Sequence, residues 1–152
     1  MADLTVRPVS WGDLDAWLPL WDGYNSFYGR AGETALPTDV THATWARFFD
    51  DDEPVHALVA VRDGKLVGLV HYLFHRSTTA LDLTCYLQDL FTDPDVRGGG
   101  IGRALIEAVY ARAAAAGSSR VYWQTHETNA TARRLYDQVA ELSPFRIYRR
   151  TV

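Results

Sequence analysis

Apolar and polar positions switch between two periods along the chain, and the switches mark its elements. Leu4 to Arg7 reads as a short extended segment that Pro8 ends. Ser10 is placed to cap a helix, because Leu14, Trp17, Leu18 and Trp21 then recur at helical spacing. Pro19, inside that stretch, is expected to kink or break it. Thr38 or Thr41 is expected to cap a second short helix ending near Phe49. Beyond it, Val55 to Val61 and Leu66 to Phe74 flank Arg62-Asp63-Gly64-Lys65, and the Asp-Gly pair is a strong hairpin signal. Leu81 to Phe91 reads as a fourth strand closed by Asp93-Pro94. A helix from about Gly100 to Ala116 buries Ile101, Leu105, Ala108 and Val109 and ends at Gly117. Arg120 to Gln124 reads as a strand, Asn129 to Val139 as a helix and Phe145 to Arg150 as a last strand. This order predicts an α/β class, a mixed central sheet flanked by helices, with residues 1–152 forming one domain.

The join between the fourth strand and the Ala-rich helix carries the chemistry. Val96-Arg97-Gly98-Gly99-Gly100-Ile101-Gly102-Arg103 gathers glycines at a helix N-terminus, where unpaired N–H groups and the helix dipole favour an anion such as a phosphate. A Walker loop is excluded, because Gly102 is followed by Arg103-Ala104 instead of Lys and Ser or Thr. A Rossmann fingerprint begun at Gly98 or Gly100 would need its third glycine at Arg103 or Leu105. The loop instead spells Arg-x-x-Gly-x-Gly over residues 97–102.

That spelling resembles the pyrophosphate loop of the GNAT superfamily of acetyl-CoA-dependent N-acetyltransferases. Upstream, Cys85-Tyr86-Leu87-Gln88-Asp89-Leu90-Phe91-Thr92-Asp93-Pro94 is similar to the strand and turn that precede the loop in that family. Downstream, Val121-Tyr122-Trp123 and Asn129-Ala130-Thr131-Ala132-Arg133-Arg134-Leu135-Tyr136 are similar to its next strand and its Asn-x-x-Ala-x-x-Leu-Tyr helix. The phrases Tyr-Leu-Gln-Asp-Leu-Phe and Val-Tyr-Trp-Gln-Thr-His-Glu-Thr-Asn most resemble the small histone and polyamine acetyltransferase branch. The resemblance implies the single-domain GNAT (acyl-CoA N-acyltransferase) fold, acetyl-CoA as cosubstrate, and a homodimer built through exchange of the last strand. It implies cofactor contacts from Leu90, Phe91, Thr92, Arg97, Gly98, Gly99, Gly100, Ile101, Gly102, Arg103, Asn129, Arg133 and Tyr136. Arg134 is a further candidate for the phosphates, and Tyr24, Phe27 and Tyr28 fall in a segment that lines the acceptor site in many relatives. One departure is Val139-Ala140-Glu141, which lacks the glycine that usually follows the Leu-Tyr helix.

Such a reaction assigns roles. An alkylammonium with a pKa near ~10 must lose a proton before its nitrogen can attack a thioester. The oxyanion needs a fixed donor, supplied in the family by a backbone N–H at a bulge in the fourth strand. The departing thiolate needs an acid, and Tyr136 is the candidate, since a phenol is protonated at pH 7. The base is open. Related polyamine enzymes carry Glu where this chain has Gln88, and an amide is no base at neutral pH; Gln88 is a candidate both for the catalytic set and, with Tyr24 and Tyr28, for substrate contact. Asp89, Glu127 and a water chain share the base role, and in a regular strand Gln88 and Asp89 cannot both face the substrate.

Charge and composition narrow the acceptor. The 152 residues are 47% hydrophobic and 22% charged, an ordinary globular balance. A net charge of −4 argues against general nucleic-acid binding and fits a cationic acceptor, steered in part by Asp50-Asp51-Asp52-Glu53. No apolar run approaches the ~20 residues of a membrane span, and no secretory pattern opens the chain, so no membrane partner and a cytoplasmic location are expected. Cys85 alone makes no internal disulfide and reads as packing, and five histidines at no metal-binding spacing predict no metal. The leading acceptor is a polyamine or other small amine. Alternatives are a lysine or N-terminus of a basic protein or peptide, and a non-catalytic acyl-CoA-binding domain.

Overall fold

A computed structural model of the protein describes residues 3–96 and 98–152, so the expectation for Arg97 lies outside the described residues. Five strands, β1 (Leu4–Pro8), β2 (Val55–Arg62), β3 (Lys65–Arg76), β4 (Leu83–Thr92) and β5 (Arg120–Tyr122), line up in sequence order. The first four pair antiparallel and β5 joins β4 in parallel, giving the expected mixed sheet. Helices α1 (Leu14–Phe27), α2 (Thr38–Arg47), α3 (Ile101–Ala115) and α4 (Ala130–Val139) flank it. The β2–β3 turn places Asp63 and Gly64 both at positive φ, the geometry an Asp-Gly hairpin demands.

The sheet is buried on both faces, which is why β2 and β3 carry apolar residues without alternation. Leu58, Ala60, Val70, Tyr72, Cys85 and Leu87 pack against Ile101, Leu105, Ile106 and Val109 of α3. On the opposite face Val59, Leu69 and Phe91 meet Trp17, Leu20, Trp21 and Tyr24 of α1 and Trp45 of α2. Cys85 is fully buried, and burial pushes its thiol up to about 11, as a packing role requires.

Several local expectations are corrected. Pro19 does not break α1: Asp15, whose carbonyl it leaves unbonded, is exposed to water, while Trp17, Leu20, Trp21 and Tyr24 anchor the helix on both sides. Ser10 holds the cap position of the short 3-10 turn Trp11–Asp13 that runs into α1, as expected, and Asp13 completes a capping box with it. Its carboxylate takes two bonds from the Arg7 guanidinium (2.7 and 2.9 Å) and one from the Ser10 backbone N–H (2.8 Å). The Arg7 bonds foremost hold Asp13 down at about 2. Neither Thr38 nor Thr41 caps α2; Pro37 occupies the cap position, and the Thr41 hydroxyl instead accepts from Trp21 Nε1.

The largest correction is at the C-terminus. Phe145 to Arg150 form no strand. After α4, whose end is pinned by the Tyr110 hydroxyl on the Val139 carbonyl (2.8 Å), residues 140–152 carry no secondary structure. Phe145 and Tyr148 are 88% and 97% exposed. A strand needs a partner for its backbone groups, and within this chain the segment has none.

Candidate active site

The expected bulge is present and falls at Gln88. Across β3 and β4, His71 faces Asp89 and Tyr72 faces Leu87, so Gln88 is the extra residue. Its insertion resets the alternation. Cys85 and Leu87 point to the α3 face, but Asp89 and Phe91 turn to the α1 face and Leu90 returns to the α3 side. Gln88 itself is exposed. The bulge puts Asp89 where a regular strand would not, and it frees backbone groups beside the carboxylate.

Asp89 is buried but richly partnered. The Trp17 indole N–H donates to His71 Nε2 (3.1 Å), and an indole can only donate, so that ring nitrogen is unprotonated. His71 therefore presents Nδ1–H to Asp89 Oδ2 at 2.9 Å. The Tyr24 hydroxyl lies against the same carboxylate. Burial, then the Asp89 charge, pushes Tyr24 far up, and the same two causes raise Tyr28. An ionised carboxylate has about four acceptor positions, so lone pairs remain for an incoming ammonium.

Tyr136, on α4, packs beside the α3-side core. Its ring meets Trp123 edge-on at 5.4 Å, and its phenol is pushed up to about 12 by burial and then by Tyr28. The Asp89 charge acts on Tyr28, and Tyr136 in turn is acted on by Tyr28. Next to it opens a cleft of about 560 Å³, lined by Phe27, Tyr28, His126, Thr128, Asn129 and neighbours. His126 and Thr128, paired at 2.7 Å, gave no signal in the sequence.

The glycine loop fits a phosphate. Gly98 and Gly100 sit at φ 88° and 75°, Gly100 in the cap position of α3, and neither has an atom over the place of a Cβ. The first-turn N–H groups of Ile101, Gly102 and Arg103 are those a helix leaves unpaired. Arg62, at the end of β2, adds a cation: one Nη donates to the Gly99 carbonyl at 3.3 Å. Only the sheet brings Arg62 to a loop 37 residues away, and the sequence gave no hint of it. Gly102 serves packing as well, since a Cβ there would meet Leu135 of α4 at 3.2 Å.

The remaining candidates have partners within the chain or lie exposed. The Phe91 ring packs against Gly23 in the core. Leu90 packs on the α3-side core, and Thr92 lies 4.0 Å from the Cβ position of Gly102. Asn129 precedes α4, yet its side chain turns back to Thr125 (3.3 Å) and caps nothing. Arg133 donates to the Glu127 carbonyl (2.8 Å) and Arg103 to Gln138, while Arg134 is exposed. Glu127 is exposed on the β5–α4 connection, and among the described residues no hydrogen bond or ion pair joins its carboxylate to Asp89 or Tyr136. Asp50 accepts from the Asp52 N–H, so the acidic run builds its own exposed turn.

The cradle is directly testable. Gly100→Val forces a β-branched residue to φ 75° and covers the loop, at a cost of ~1–3 kcal/mol. CoA affinity measured by calorimetry is expected to fall by on the order of tenfold or more. A folded variant with unchanged affinity would remove the cradle assignment.

Comparison with known proteins places the fold and the family. The chain is 34% identical over 149 residues to a D-amino-acid N-acetyltransferase of Saccharomyces cerevisiae, covering 97% of this chain and 90% of that one. It is 35% identical over 111 residues to a phosphinothricin N-acetyltransferase of Alcaligenes faecalis, covering 71% of this chain and 54% of the relative. An aminoglycoside N-acetyltransferase solved with CoA has the same fold, with a TM-score of 0.82, 19% identity, and 99% and 96% of the two chains covered. Residues 17–140 match the acetyltransferase (GNAT) family, and the chain belongs to that family of N-acetyltransferases.

Proposed function

We propose that the protein transfers acetyl from acetyl-CoA directly to a small primary amine, with Asp89 as the base and Tyr136 as the acid. One observation carries this reading: the Gln88 bulge turns Asp89 onto the α1 face, where the Tyr24 hydroxyl lies against its carboxylate. Acetyl-CoA supplies the thioester carbonyl, with its phosphates on Gly98–Arg103 and Arg62. Asp89 accepts the ammonium proton, so the nitrogen lone pair can attack. Backbone N–H groups freed at the bulge hold the oxyanion. The N–C bond forms as the C–S bond breaks, Tyr136 donates its hydroxyl proton to the sulfur, and the second proton shed by the acylated nitrogen returns to the Tyr136 phenolate.

The amine class has two supports that point apart. A polyamine is favoured by the net charge of −4, to which the exposed Asp50, Asp51 and Asp52 contribute. An amino acid is favoured by the yeast relative, whose name carries that substrate. Thiol release against a panel of amines, with products identified by mass spectrometry, tests the activity. Acetyl-CoA binding with no turnover on any amine would favour the non-catalytic reading, and absence of both would overturn the proposal.

The exposed tail supports a homodimer. β5 has β4 on one side and an open edge on the other, and Phe145, Ile147 and Tyr148 are left in water by their own chain. Pairing of residues 145–150 with a second copy would satisfy both. The full chain is expected to sediment as a dimer and a chain ended at Ala140 as a monomer. A monomeric full chain at tens of micromolar would overturn this.

A further inference from the structure

Beyond the C-terminus of α1 the chain folds back and plants one cation beside the acceptor tyrosines. Tyr28, Gly29 and Arg30 return their backbone N–H groups to the last carbonyls of the helix, with Arg30 bonding Asn25 O at 2.8 Å. The Arg30 side chain is then clamped by a buried group. Asn25 is 4% exposed, its Nδ2 donates to the Trp21 carbonyl (2.9 Å), and its Oδ1 accepts from Arg30 Nε at 2.7 Å. The guanidinium lies 5.7 Å from the Tyr24 ring centre and 5.6 Å from that of Tyr28. Burying an asparagine to orient one arginine is a costly arrangement for a cation meant only for solvent.

The clamp uses only one nitrogen of the fork. Among the described residues no carboxylate lies within 4 Å of the Arg30 guanidinium, and its two Nη groups have no hydrogen-bond partner. That edge matches a carboxylate in the bidentate manner. Asp89 acts on the same tyrosines: its charge raises both Tyr24 and Tyr28, and that of Arg30 lowers both. The two tyrosines thus have charges of both signs beside them, an anion for an ammonium and the cation of Arg30. A linear polyamine would set a second ammonium against Arg30, which repels it.

We infer that Arg30 is a carboxylate-binding residue and that the natural acceptor is a primary amine bearing a carboxylate, as an amino acid does. This rests on the acetyl-transfer reading and adds the acceptor class to it. The reaction is unchanged in balance: nitrogen gains the acetyl carbon, sulfur leaves, and the ammonium proton passes to Asp89. The carboxylate takes no part in bond making and serves to hold the nitrogen near the carbonyl.

The test compares kcat/KM for D- and L-alanine and 4-aminobutyrate with that for alaninamide and putrescine, in the wild type and in Arg30→Met. For the wild type, the best carboxylate-bearing amine is expected to exceed alaninamide and putrescine by on the order of 10²-fold, the worth of charged hydrogen bonds. In Arg30→Met that ratio is expected to fall to within a few-fold of one. Should the variant not fold, the wild-type ratio alone decides. Wild-type preference for putrescine or the amide, or a ratio that survives in a folded Arg30→Met, would overturn the inference and leave acetyl transfer standing. No turnover on any of the amines would remove the transfer reading and this inference with it.

Discussion

Asp89→Asn is expected to lower kcat/KM for the acceptor by about 10²- to 10⁴-fold at neutral pH, the range for loss of a general base. The change keeps the shape of the side chain, and the amide oxygen can still accept from His71 Nδ1–H, so the Trp17–His71 chain need not come apart. What disappears is the anion that attracts the ammonium and takes its proton. CoA affinity, set by the glycine loop, is expected to stay within a few-fold of wild type. pH gives the discriminating readout. With no base at the site, only amine already deprotonated in solution can react, so the variant's rate is expected to keep climbing as pH rises toward the amine's own pKa near ~10. The wild type is expected to level off earlier. A variant within a few-fold of wild type at pH 7 would remove Asp89 as base and hand the role to a water route.

The reason Asp89 stayed ambiguous in the sequence is physical. Strand periodicity assigns Gln88 and Asp89 to opposite faces, and one inserted residue reverses the assignment for everything after it. Nothing in Tyr-Leu-Gln-Asp-Leu-Phe marks where the extra residue sits, because the bulge is defined by the partner strand, at His71 and Tyr72. His71 was equally silent. It is one of five histidines, and only the sheet and α1 bring it between Trp17 and Asp89. Elements set by local chemistry were legible. The Asp63-Gly64 turn, the glycine-led start of α3 and the apolar stripe of α1 each follow from residues a few positions apart. The misplaced elements depend on distant partners: Pro19 tolerated because α1 is anchored by its tryptophans, and a strand-like tail with no strand of its own chain to join. Arg62 and Arg30 show the same limit in the site. Each reaches a functional neighbour through tertiary folding, and neither belongs to a recognisable motif.

Tyr136→Phe separates an acid from a packing residue. The substitution keeps the ring against Trp123 and deletes only the hydroxyl, so the core contact survives. Loss of a general acid is expected to lower kcat by ~10²-fold or more, with CoA affinity changed little. The phenol stays protonated throughout the neutral range, because burial and Tyr28 hold it up at about 12. The wild-type rate should therefore show no fall from loss of this acid until pH approaches that value, and any earlier decline belongs to another group. A phenol so reluctant to ionise is a weak donor to a free thiolate. Its work is to supply the proton as negative charge grows on sulfur and to recover one from the acylated nitrogen. The readout that isolates this role is the leaving group. Acyl donors with more acidic thiols need less help, so the penalty of Tyr136→Phe should shrink as thiol acidity rises. A penalty independent of the thiol, or a kcat within a few-fold of wild type while chemistry limits the rate, would assign Tyr136 to packing and leave the sulfur to take its proton from water or from the attacking amine.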